Sequence, residues 1–273
     1  MNIWNYNESM VINWILPIFI GWITGWLVNY ISDILPITRR LSKPVCLSCG
    51  ENYTLRDYLL FRPCPNGHKR SYRVWITQAA IIALTAYIYL NPPSRYGGYW
   101  VGMLLLIYFG VVFIVDMEHR LILHETSIVG SIITLLIGST SHGFVNSLLG
   151  GLFGLLIMLV FYFFGVLFTK FRAKRLQDMG NEVDDEEALG QGDVILVTIL
   201  GLLIGKDLVW FMVIISVLFG GIFSLLMVAG LLINRRYSSN ALMVFTAYGP
   251  YFILGTSMIV YFPEVLRALL PIN

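Results

Sequence analysis

Two aspartates stand at the edges of apolar runs. Asp116 closes the run Tyr99 to Val115, and Asp193 ends the tetrapeptide Gly190-Gln191-Gly192-Asp193, which opens the run Val194 to Gly205. An ionisable group at membrane depth is expensive to keep, so it marks a functional site by default. Two carboxylates that share one proton can divide a hydrolysis between them, one activating water and the other protonating the leaving group, which is aspartic-protease chemistry. Taken singly, each aspartate also fits a plainer role, pairing with a loop cation or sitting at a helix end.

A second constellation uses all three cysteines. Cys46-x-x-Cys49 is followed by Cys64, with His68 four positions later. Two thiolates at this spacing, joined by a Cys and a His returning after a short hairpin, make the ligand set of a tetrahedral structural zinc site. Three unpaired thiols in a polar hairpin is the alternative. Four protein ligands would leave no open position, so a metal here staples a loop and does no chemistry.

Other residues are candidates for the cleft. Gly190 and Gly192 precede Asp193 and, without a Cβ, allow unusual backbone angles and the close approach of an extended strand. Gly249-Pro250 breaks the last apolar run and exposes backbone groups, which is tolerated at membrane depth only where protein or a cavity satisfies them. His119, near Asp116, reaches either the substrate or, as an interfacial anchor, water.

These side chains need elements to hold them. With 57% hydrophobic and 12% charged residues over 273 positions, the chain is not composed like a soluble domain. Its mean hydropathy is +0.75. Uncharged stretches at about 10–32, 74–91, 99–115, 143–168, 208–233 and 241–262, with weaker ones at 126–140 and 188–205, predict an all-α polytopic membrane protein of about eight spans. The sequence predicts a single membrane domain over 1–273, with a cysteine-rich loop at 38–73 and an acidic loop at 170–190. The amino-terminal run lacks the layout of a cleavable signal and is expected to stay as a helix.

Basic residues stay preferentially on the cytoplasmic side. With eight spans and the amino terminus outside, fifteen of the eighteen Lys and Arg fall in internal loops, leaving Arg95, Lys206 and Arg267 outside. That topology brings Asp116 and Asp193, 77 residues apart in sequence, to the same cytoplasmic mouth. It also puts the cysteines in a reducing compartment, where metal binding is favoured over disulfides.

Several motifs in order resemble the type IV prepilin leader peptidases, membrane aspartic proteases of bacterial pilus, competence and type II secretion systems. Gly25, Asn29 and Leu35-Pro36 resemble the family's first-span signature, and the cysteine loop follows it. Asp116-Met117-Glu118-His119 resembles the first catalytic segment, Gly190-Gln191-Gly192-Asp193 the G-x-G-D motif, and Tyr248-Gly249-Pro250 a Phe-Gly-Pro near the last helix. The resemblance implies catalytic roles for Asp116 and Asp193, a prepilin or pseudopilin substrate with a short basic leader, and a multi-pass protein of the bacterial cytoplasmic (inner) membrane with its site toward the cytoplasm. Membrane lipid is an expected partner and nucleic acid is not. The acidic stretch Asp178 to Glu187 would suit the leader's cations, or is simply a solvated loop.

Departures stand beside the matches. Leu123-His124 replaces a Pro-Asp pair, Ile195 replaces a Lys after the G-x-G-D motif, and Gly67 stands at the fourth cysteine position, so that His68 must supply the last ligand. Many members also methylate the new amino terminus with S-adenosylmethionine. A family Glu is Gln78 here. Two other readings stay open: a proton-coupled transporter using intramembrane Asp residues, and a presenilin-type intramembrane protease.

Overall fold

Each apolar run contains a helix. The computed structural model describes residues 3–46, 48–178, 190–233 and 248–269. Among the described residues there is no strand, only an isolated bridge between Val45 and Asn52. The chain divides into two compact units, Met1–His119 and Arg120–Asn273.

The first unit contains α1 (Ile3–Thr38), a loop holding the short α2 (Leu55–Leu59), α3 (Tyr72–Leu90), a 3-10 turn (Ser94–Tyr96) and α4 (Gly98–His119). Helix α1 packs mainly on α3, and the seam is built from small and polar residues one turn apart. A Cβ at Gly21 would lie 2.9 Å from the Ile82 Cα, and one at Gly25 2.8 Å from the Gln78 amide. Asn29 Nδ2 donates to the carbonyls of Gly25 (3.0 Å) and Val74 (3.3 Å), and Gln78 Nε2 to that of Trp22 (2.9 Å). With no solvent to drive helix association in lipid, close backbone approach and interhelical hydrogen bonds do that work.

The second unit contains α5 (His124–His142), α6 (Phe144–Asp178), α7 (Gln191–Ile204), α8 (Val209–Ile233), α9 (Gly249–Tyr261) and α10 (Pro263–Leu269). Helix α7 is its centre, with Val194, Leu196, Val197, Ile199, Leu200, Leu203 and Ile204 all buried. Its carboxy-terminal carbonyls, which a helix cannot satisfy internally, find side chains. Ser147 Oγ donates to Leu202 O at 2.5 Å, and His142 Nε2 lies 3.0 Å from Leu203 O.

Among the described residues, five helical segments are long and apolar enough to cross a membrane: Ile15–Thr38, Tyr72–Leu90, Gly98–His119, Phe144–Leu167 and Val209–Gly230. The other three fall short for separate reasons. Helix α5 is diluted by Ser and Thr, whose hydroxyls fold back on their own helix, as Thr134 Oγ1 does on Gly130 O. Helix α7 has 14 residues, about 21 Å at 1.5 Å per residue, against a hydrocarbon core of about 30 Å. Part of the run 241–262 lies outside the described residues. The chain is thus a multi-pass helical membrane protein, with eight as a count of apolar helices rather than of full-length spans.

Helix α6 continues to Asp178. Residues 170–175, expected in a loop, therefore belong to its last turns. Asp178 ends that helix, and the acidic stretch after it, with Glu182, Asp184, Asp185, Glu186 and Glu187, lies outside the described residues, as do Arg235 and Arg236.

Candidate functional site

Asp116 lies in the last turn of α4 and is buried at 4% exposure. The turn ends at the exposed His119, and Arg120 follows at φ 51°. A left-handed residue is the usual stop for a helix, though Gly more commonly fills it.

Asp193 lies in the first turn of α7, in the second unit. Its backbone N–H donates to Gly190 O at 3.1 Å, and its side chain is half-buried. Gly190 has ordinary extended angles (φ −76°, ψ 147°), and Gly192 is helical. The expected need for glycine-only backbone angles is therefore absent at both positions. What remains is space: among the described residues, the nearest atom to a Cβ on Gly190 would be Asp193 Oδ2 at 3.8 Å. Gly192 faces the Ile122 side chain, which a Cβ would approach to 3.2 Å.

Gly249 and Pro250 are buried and open α9, with the proline in its first turn. They begin this helix, where a proline's missing N–H and fixed φ suit the first turn.

The cysteine loop closes on itself. Ligand atoms of Cys46, Cys49, Cys64 and His68 all lie within 4.8 Å of one another. Cys49 Sγ is 3.8 Å from Cys64 Sγ, and Cys64 Sγ is 3.4 Å from His68 Nδ1. A tetrahedral ion with metal–sulfur bonds of about 2.3 Å sets two sulfurs about 3.8 Å apart, the spacing of Cys49 and Cys64, and the four donors together could hold a metal such as zinc. Two tight turns aim the ligands: Gly50 N–H donates to Cys46 O and Gly67 N–H to Cys64 O, both at 2.8 Å, with Gly50 at φ 73° and Gly67 at φ 80°. Those positive angles require glycine.

Burial alone would push the Cys46 thiol up, but the backbone groups of Ser48 and Cys49 and the sulfurs of Cys49 and Cys64 outweigh it and bring it down to about 6. Burial pushes the Cys64 thiol up, and the neighbouring Cys46 and Cys49 add to that effect. Such a crowd of thiols gives up its protons together only when a cation balances the charge.

Beneath the loop is a polar cluster that the sequence did not single out. Arg70 lies over the rings of Tyr58 (3.8 Å) and Tyr53 (4.8 Å). Tyr58 donates its hydroxyl to Asp33 Oδ2 at 2.8 Å. The other Asp33 oxygen bonds the Arg73 guanidinium, whose Nε forms an ion pair with Glu118 Oε1 at 3.0 Å. Asp33 was visible only as part of the first-span signature, and Arg73 only as one of many loop cations. An acid and a base at the ends of neighbouring apolar runs was the available signal.

Residues 100–225 match the model of the type IV leader peptidase family. The matched segment includes both Asp116 and Asp193, and the family is the one that the motifs resemble. No curated protein and no solved structure matches the chain. The family supports a leader peptidase embedded in a membrane.

Proposed function

We propose that this chain is an aspartic endopeptidase that removes the leader from type IV prepilins or pseudopilins, with Asp116 and Asp193 as its catalytic carboxylates. The observation that carries the reading is the family match across 100–225, which holds both aspartates, each in a terminal turn of an apolar helix.

In this mechanism Asp193, in the first turn of its helix where the dipole favours an anion, takes a proton from water as the oxygen attacks the scissile carbonyl. Asp116, in a last turn, gives its proton to the carbonyl oxygen, producing a tetrahedral diol. Asp193 then protonates the departing amine as the C–N bond breaks, and Asp116 recovers a proton from the diol hydroxyl as the new carboxyl forms. Both groups end as they began. Gly190, without a Cβ beside Asp193, suits the close approach of the leader's backbone in this reading.

The family's substrates have a basic leader outside the bilayer and a hydrophobic helix within it, which suits carboxylates at helix ends on a cytoplasmic face of the bacterial inner membrane. The eight-segment topology expected from the sequence, with 15 of 18 cations inside, is consistent with that orientation. Gly249, Pro250 and His119 complete the cleft in this reading. Cys46, Cys49, Cys64 and His68 would hold one structural zinc, which fixes the fold of the loop and takes no part in hydrolysis.

Methylation of the new amine by S-adenosylmethionine rests on the resemblance alone. Gln78, at the position of the family Glu, is buried in the α1–α3 seam with its amide committed to Trp22 O. Transfer of a labelled methyl group to a cleaved pilin decides that activity. Cleavage of a co-expressed prepilin by the wild type but not by Asp193→Asn tests the peptidase, and a product formed equally by both rejects it.

A further inference from the structure

Asp116 lies in the last turn of α4, where the final four carbonyls have no partner within the helix and the turn tends to fray. One side chain ties that turn down. The Arg73 guanidinium, at the start of α3, bonds Asp33 of α1 and pairs with Glu118 of α4, two residues beyond Asp116. Its side chain is 16% exposed, and that of Asp33 8%. Tyr58 of the cysteine loop holds the same Asp33 from the other side.

Two carboxylates contact the Arg73 guanidinium, while Arg70 lies over Tyr58 and contacts neither. Without Arg73, Asp33 and Glu118 would repel each other in partly desolvated surroundings, and the last turn of α4 is the part able to yield. The helices themselves have other attachments. Gly21, Gly25, Asn29 and Gln78 hold α1 to α3, while Gly110 of α4 lies on Val28 of α1, where a Cβ would come within 3.1 Å.

We propose that Arg73 is a positioning residue for peptide cleavage, holding the last turn of α4 and with it the Asp116 carboxylate. This inference rests on the reading of Asp116 as catalytic. A planar guanidinium can serve two carboxylates at once, whereas an ammonium presents a point charge to one.

The test uses the full-length protein in detergent and a prepilin-type peptide with a basic leader, a Gly before the scissile bond and a hydrophobic helix. Displacing a catalytic group by about 1 Å can lower a rate about 100-fold. Arg73→Gln is therefore expected to reduce kcat by about 10- to 100-fold with KM within about threefold of wild type, and Arg73→Lys to recover little of it. Glu118→Gln should lower kcat less, and the double variant Arg73→Gln/Glu118→Gln should be no slower than Arg73→Gln. Should Arg73→Gln fail to insert, Glu118→Gln alone carries the test by the same kcat loss at constant KM. Unchanged kcat in these variants while Asp116→Asn is inactive overturns the positioning role and leaves the peptidase reading intact. A fall in kcat that follows the loss of thermal stability and is fully restored by Lys also overturns it. Full activity in Asp116→Asn would remove the underlying reading instead.

Discussion

Gly150 and Gly201 touch backbone to backbone. A Cβ on Gly150 would stand 2.3 Å from the Gly201 carbonyl oxygen, and one on Gly201 2.4 Å from that of Gly150. Neither oxygen can swing away as a side chain would. Helix α6 can lie this close to α7 only because both residues lack a side chain, and α7 carries Asp193.

Gly150→Ala should therefore force the helices apart, destabilising the protein by about 1–3 kcal/mol as overpacking does elsewhere, and displace Asp193 with α7. Gly221→Ala on α8, where a Cβ would meet nothing within 4 Å, is the control. Thermal unfolding in detergent should show a lower midpoint for the first and no fall for the second.

Asp116→Asn and Asp193→Asn should each reduce leader cleavage by roughly 10²- to 10⁴-fold or more, because an amide can neither accept nor return the proton. Both proteins should still insert and unfold near the wild-type temperature. Cleavage of a prepilin followed by the shift in its mass is the readout, and near-normal turnover in either variant would falsify the paired-carboxylate mechanism.

Metal analysis of the purified protein should find about one zinc per chain, lost on Cys64→Ser. Retention should also depend on pH. The Cys46 thiol, normally near 9.0, is lowered to about 6 in the folded loop, so its thiolate contributes above the ordinary value and that contribution is lost as pH falls through about 6. Protons compete with the metal for the ligands, so stepwise acidification with chelator present should progressively lower the zinc retained. A folded protein free of metal at neutral pH would sink the site.

Tyr58→Phe keeps the ring under Arg70 but removes the hydroxyl that bonds Asp33. Leaving a buried carboxylate one bond short costs about 1–3 kcal/mol. The thermal midpoint should fall accordingly while zinc content stays unchanged, a combination that separates the polar cluster from the metal ligands above it.

Gly190→Ala should fold normally, since its angles suit any residue and, among the described residues, the added Cβ comes no closer than 3.8 Å to its nearest neighbours, Asp193 Oδ2 and Gly192 N. The same methyl group adds bulk beside that carboxylate, so KM for the peptide should rise severalfold with stability unchanged. Steady-state kinetics and a melting curve check the two halves together.

The helices were legible in the chain because membrane-spanning length and apolar content are local properties, and the ligand tetrad was legible because C-x-x-C spacing and the return of Cys64 and His68 limit what those atoms can do. The motif residues Asp116 and Asp193 could be read at the ends of apolar runs for the same reason. What the sequence could not decide is which side chains meet. Asp33 finds Arg73 forty residues away, and Arg73 finds Glu118 across another helix; nothing local distinguishes these charges from the solvated ones around them. Nor could spacing tell that Gly190 and Gly192 have ordinary angles, while Gly150 and Gly201 are required by contact with each other. A glycine's reason lies in the atoms opposite it, and only the packing of α6 on α7 brings those atoms into place.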